Sequence, residues 1–148
     1  MGARRAGAVL IRNLVKLEKL KVEQKGQNDY VSEADRAAER AVIDVIQQHY
    51  PGHAILAEES GATGETGSDT VWIIDPLDGT TNYLHGFPVF AVSIGVQVNG
   101  RMSHGVVYDP LRQELFTATR GAGAQLDEHK IRVSGRQELE HALIGPGF

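Results

Sequence analysis

Three short stretches gather carboxylates where chemistry could use them. They are Asp29-Tyr30-Val31-Ser32-Glu33-Ala34-Asp35, Leu56-Ala57-Glu58-Glu59-Ser60, and the run from Trp72-Ile73-Ile74 into Asp75-Pro76-Leu77-Asp78-Gly79-Thr80-Thr81-Asn82. In the third, Asp75 closes an apolar run, where an ionised carboxylate without a partner loses much of its hydration. Pro76 is expected to force the chain out of strand geometry, and Asp78 to return one turn later, so that both carboxylates point into one pocket. Gly79 permits a sharp bend or the close approach of a ligand. Thr80-Thr81-Asn82 reads as the start of a short helix, whose free N–H groups suit a phosphate. Hard oxygen donors beside an anion site point to Mg²⁺ and a phosphoryl substrate.

Each stretch also has a plainer reading. Asp-Pro and Asp-Gly are common turn pairs, and Asp-x-x-Asp alone suits a turn with a helix cap as well as a metal site. The alternating ligands and later Glu of an EF-hand are missing. Glu58 and Glu59 follow an apolar strand with alternating side chains, so only one is expected to share the pocket with Asp75, and both could equally be solvated. Asp35 reads as a residue near a helix start, where capping and the helix dipole favour Asp.

The elements that must position these groups follow from apolar spacing. Leu10, Leu14 and Leu17 predict an amphipathic helix over residues 3–21, ended by the polar stretch 24–28. Ser32 and Asp35 resemble a cap for a second helix carrying Ala34, Ala38, Ala41, Val42, Val45 and Ile46, stopped at Tyr50-Pro51-Gly52. Residues 54–57 and 71–74 read as strands, the latter buried on both faces, with a Gly/Thr/Ser-rich loop at 61–69. Apolar runs at 90–98 and 102–108 flank Asn99-Gly100, a strong hairpin signal. Asp109-Pro110 opens a turn before a strand at 114–119, and short strands are expected at 131–134 and 142–144. The expected architecture is α+β: two helices beside a mostly antiparallel sheet.

The chain has 148 residues, 41% hydrophobic and 23% charged, with no cysteine and a formal charge of −4. Such a composition is globular, and it excludes disulfide scaffolds and cysteine-ligated metal sites. The charge is unevenly spread: +5 over residues 1–25, −9 over residues 26–110 and zero beyond. A block of carboxylates without matching cations needs solvent or metal. The apolar run at residues 6–11 is too short for a signal-peptide core or a membrane span, and Ala6 stands where myristoylation wants Ser or Thr. The expected location is therefore cytoplasmic, with no membrane partner. Lys16, Lys19, Lys21 and Lys25 read as a solvated helix face, with nucleic-acid binding as the alternative.

The octapeptide Asp75-Pro76-Leu77-Asp78-Gly79-Thr80-Thr81-Asn82 resembles the first signature of the inositol monophosphatase family. Ala57-Glu58-Glu59-Ser60 resembles its Gly-Glu-Glu-Ser, with Ala57 departing at the glycine, and residues 28–35 resemble its amino-terminal Asp-to-Asp segment. Lys25-Gly26 through Val31, and Glu114 through Gly121, are most similar to its SuhB-like bacterial branch. The resemblance implies a layered α-β-α-β-α sandwich in a lithium-sensitive, commonly dimeric family. This chain, residues 1–148, would be the amino-terminal, metal-bearing part. The family's second signature, Trp-Asp-x-Ala-Ala-Gly, is absent, and the ending Ile144-Gly145-Pro146-Gly147-Phe148 reads as that of a fragment.

By the same resemblance, Glu58, Asp75 and the Leu77 carbonyl would hold a first Mg²⁺. Asp75 would bridge to a second ion, also held by Asp78 and by an Asp of the absent signature, and Glu58 would reach a third through water. Mn²⁺ is a possible substitute. Backbone N–H groups of Gly79 and Thr80, with Thr81 beside them, would bind the phosphate. Asp35 and Thr80, hydrogen-bonded to each other, would orient the attacking water. The implied activity is Mg²⁺-dependent hydrolysis of inositol-1-phosphate, with fructose-1,6-bisphosphate and 3′-phosphoadenosine 5′-phosphate as rivals. The alternative implied by the SuhB-like branch is a factor binding RNA polymerase and the ribosomal RNA antitermination machinery, with catalysis dispensable. All six histidines read as packing or surface residues.

Overall fold

A computed structural model describes residues 1–20, 27–65, 67–140 and 142–143. Helix α1 (Gly2–Leu20) buries Ala3, Ala6, Leu10 and Leu17, a stripe at helical spacing. Helix α2 (Gln27–His49) buries Val31, Ala34, Ala38, Val42 and Ile46 on its own stripe. The small residues on both stripes let the helices pack closely on each other and on the sheet. At Gly7 a Cβ would stand 2.6 Å from the Tyr108 ring, so α1 lies almost in backbone contact with that side chain.

Eight strands follow: β1 (Ala54–Ala57), β2 (Gly61–Gly64), β3 (Thr70–Asp78), β4 (Ala91–Val98), β5 (Arg101–Asp109), β6 (Glu114–Thr119), β7 (Gly123–Leu126) and β8 (His129–Ile131). Helix α3 (Thr80–His85) interrupts them after β3. The sheet order is β2-β1-β3-β4-β5-β6-β7-β8, and only the β1–β3 pair is parallel. The architecture is thus α+β. Ile55, Ile74, Val92, Ile94 and Val96 face the helices and are buried. Leu56 and Val107, on the opposite face, are 48% and 41% exposed. The Tyr83 hydroxyl of α3 donates to the Leu10 carbonyl at 2.8 Å, tying the site-bearing helix to α1.

Several expectations are corrected. Helix α2 begins at Gln27, so Ser32 and Asp35 lie inside it instead of capping it. Residue 21 of the expected first helix and residues 24–26 of the polar stretch lie outside the described residues, and Gln27 and Asn28 belong to α2. Residues 61–64 form an edge strand, because their backbone pairs with β1 although their side chains bury little. Val71 and Ile73 are only half-buried, since among the described residues the helices cover one face alone; Trp72, on the helix-facing side beside Ile55 and Val96, is also half-buried. The late strands fall at β7 and β8, and Ala142 and Leu143 are not strand; Ile144 lies outside the described residues. The Asn99-Gly100 hairpin forms as expected, with φ of 49° and 73°. Among the described residues no helix is long and apolar enough to cross a membrane.

Candidate active site

The parallel register of β1 and β3 brings two acidic stretches together. Ala57 lies beside Ile74, and the Glu58 N–H donates to the Ile74 carbonyl at 3.1 Å. Glu58 therefore leaves β1 at the level where β3 delivers Asp75. Burial pushes the Glu58 carboxyl up, as does its hydrogen bond with the Asp75 carboxyl. The charges of Asp75, Glu59 and Asp78 act in the same direction. Two carboxyl groups this close need a shared proton or a cation.

Pro76 does not end the strand. The β3–β4 register slips between Asp75 and Asp78, and Pro76 is buried within that slip, where a missing N–H costs no ladder hydrogen bond. Asp75 Oδ1 accepts the Leu77 N–H at 3.1 Å, which fixes the carboxylate at the bend. Leu77 is buried, so only its carbonyl can serve the site. Asp78 is exposed.

Gly79 turns the chain into α3 with φ 95°, and a Cβ there would stand 3.0 Å from the Val89 carbonyl. Gly79→Ala is expected to lower stability by about 1–2 kcal/mol through left-handed strain alone, with the contact adding to it. Urea unfolding of the variant measures this. No side chain caps α3, leaving the first-turn N–H groups of Thr80 and Thr81 without intrahelical acceptors. Both threonines are exposed.

Asp35 is 5% exposed, and its Oδ1 is buried without a hydrogen-bond partner. Burial, then the charges of Glu59, Glu58, Asp75 and Glu39, push its carboxyl up to about 7. The expected Thr80–Asp35 hydrogen bond is not formed. The Thr80 hydroxyl donates instead to the Leu77 carbonyl at 3.0 Å, folding back across the turn that Gly79 makes. Glu59 is the strongest of the acidic neighbours of Asp35. Strand alternation does not separate it from Glu58, because residues 58–60 form a turn.

Glu39 was not legible as part of this site. It is 2% exposed, and its carboxylate accepts the backbone N–H groups of Glu59 at 2.8 Å and Ser60 at 3.0 Å. The available signal was a Glu beside Ala38 and Val42 on the apolar stripe, one helical turn after Asp35. His53 is engaged in packing: its Nδ1 accepts the Trp72 indole N–H at 2.9 Å, and its ring stacks on Tyr50.

The donor chemistry suits a hard divalent cation. The Glu58–Asp75 pair and the unpartnered Asp35 oxygen are hard acceptors whose mutual repulsion a cation would relieve. Among the described residues, however, no group of three or more His, Asp or Glu is arranged to hold a metal ion by itself.

The description of the inositol monophosphatase family matches residues 1–148. Named relatives include the Nus factor SuhB of Pseudomonas aeruginosa, 52% identical over 99% of this chain and 55% of the relative. The Nus factor SuhB of Escherichia coli is 48% identical, with the same shares covered. Among solved structures, extragenic suppressor protein suhB from Bartonella henselae superposes with a TM-score of 0.82 at 42% identity, over 94% of this chain and 53% of that one. An inositol monophosphatase from Anabaena gives 0.78 at 44% identity, over 93% and 48%. The chain spans about half the length of the curated relatives it matches.

Proposed function

The chain belongs to the inositol monophosphatase family, and on that premise we propose that it forms the metal-bearing part of a Mg²⁺-dependent phosphomonoesterase. The observation that carries this reading is the meeting of Glu58 with Asp75 beside the buried, unpartnered Asp35. Asp75 stands five residues before the uncapped start of α3, and α2, which carries Asp35, packs against α3.

Glu58, Asp75 and the Leu77 carbonyl would hold one Mg²⁺, with Asp75 and Asp78 contributing to a second. The family's remaining carboxylate comes from beyond this chain. When bound, the ions neutralise charge on the phosphoryl and leaving oxygens and make water a better nucleophile. The protein's own groups do the rest. The N–H groups of Gly79 and Thr80 donate to the phosphate, with Thr81 alongside. The carbonyl of Leu77 has two lone pairs, so accepting the Thr80 hydroxyl leaves one for a cation. Asp35, buried beside Glu58 and Asp75, accepts a proton from the attacking water while Thr80 helps orient it.

Inositol-1-phosphate is the proposed substrate. Phosphate release by the protein at its full natural length, assayed on inositol-1-phosphate, fructose-1,6-bisphosphate and 3′-phosphoadenosine 5′-phosphate, tests this. Preference for either rival would overturn the substrate assignment, and hydrolysis of none would overturn the enzyme. The shared name Nus factor among relatives near 50% identity favours a second reading, a binding role toward the transcription machinery. Binding to RNA polymerase that is unchanged in Asp78→Asn would support that role as separate from catalysis.

A further inference from the structure

The turn that carries Glu58 has no apolar anchor of its own. Glu58, Glu59 and Ser60 are all exposed and form the loop of the β1–β2 hairpin, closed by the pairing of Ala57 with Gly61, whose φ is 74°. Besides that pairing, two sets of hydrogen bonds hold the turn. On the sheet side, the Glu58 N–H donates to the Ile74 carbonyl. On the helix side, both oxygens of Glu39 are engaged, one by the Glu59 N–H and one by the Ser60 N–H. Burying a second carboxylate on this helix, one turn after Asp35, is costly, yet here each oxygen has its own donor. A neutral amide at the same place could accept only one of the two N–H groups and would turn its NH₂ against the other.

We propose that Glu39 is a positioning residue: its carboxylate clamps the backbone of residues 59 and 60 and so holds the Glu58 carboxylate against Asp75 for cation binding. The inference rests on the metal reading above, but it assigns a separate task to a side chain that touches no ion. Glu39 lies one helical turn from Asp35, so a single rigid helix would set both the buried Asp35 carboxylate and the Glu58 turn. Metal affinity would then depend on α2 even though neither Glu58 nor Asp75 belongs to it.

Titration calorimetry with Mg²⁺ alone, on the protein at its full natural length, separates this role from a merely structural one. Thermal melting of each variant fixes a temperature well below unfolding. Glu39→Gln is expected to weaken Mg²⁺ binding about tenfold, the size typical of supporting groups behind metal ligands, at a temperature where the variant is fully folded. Unchanged Mg²⁺ affinity in folded Glu39→Gln, with a lowered melting temperature only, would overturn the proposal. Should Glu39→Gln not fold, Glu39→Asp is read in the same way. It keeps both oxygens but withdraws them by one methylene, so loss of affinity supports the clamp and unchanged affinity overturns it. Glu58→Gln serves as the control. If it abolishes the tight site while the Glu39 variants bind normally, the clamp alone fails. If Glu58→Gln also binds normally, the metal reading fails and the clamp falls with it.

Discussion

Asp75→Asn is expected to lower the rate of phosphate release by about 10³-fold, the effect of several kcal/mol of lost transition-state charge stabilisation. The fold should survive the change. The Leu77 N–H that Asp75 Oδ1 accepts can be accepted equally by the Asn carbonyl oxygen, so the bend at Pro76 keeps its hydrogen bond. Substitution also removes one charge from the Glu58–Asp75 contact, whose repulsion burdens the protein when no cation is bound. Activity and metal-free stability should therefore part company: kcat collapses while the melting temperature holds or rises. A variant that lost both together would point to a structural role for Asp75.

Asp35→Asn gives the second large effect, and it concerns pH. The Asp35 carboxyl is raised from about 3.8 to about 7 in the folded protein. Between those values the native state holds a proton that the unfolded chain has released. The native state then binds more protons, so stability falls as pH rises through this window. Asn cannot ionise, and its amide offers a donor as well as an acceptor. The metal-free variant at pH 8 should be more stable by at least about 2 kcal/mol, the cost of holding a charge on this buried carboxyl. For a chain of this size that is a rise in melting temperature on the order of 5 °C. Below pH 4 the difference should disappear. Melting curves from pH 4 to 8 check both ends. Added Mg²⁺ should stabilise the natural protein more at pH 8 than at pH 5, where protons compete for the same oxygens.

Much of this was legible where local chemistry decides structure. Asn99-Gly100 needs positive φ at both positions, and those residue types adopt it readily. Thr80 opens a helix because Gly79 takes a left-handed turn before it. Asp75, Asp78 and Glu58 stood out by type and spacing, and the parallel register of β1 and β3 sets Glu58 beside Asp75. What stayed hidden was decided by contacts distant in sequence. Asp35 looked like a cap because Asp favours helix starts, yet α2 begins at Gln27 and carries it into the buried interior. Residues 61–64 looked like a loop because edge pairing with β1 leaves no periodic apolar trace. Pro76 looked like a strand end because a bulge depends on the partner strand. Glu39 carries no local signal of its role, because the N–H groups that it accepts belong to residues 59 and 60, twenty positions away.

Phosphate released from inositol-1-phosphate, with Mg²⁺ present or chelated, is the decisive quantity for the protein at its full natural length and for its Asp78→Asn variant. Asp78 is exposed and its carboxylate accepts no hydrogen bond among the described residues, so its substitution should disturb the site without disturbing the fold. Hydrolysis that requires Mg²⁺ and falls by at least about 10²-fold in Asp78→Asn is the predicted result. Hydrolysis that persists under chelation, or that Asp78→Asn leaves intact, would contradict it.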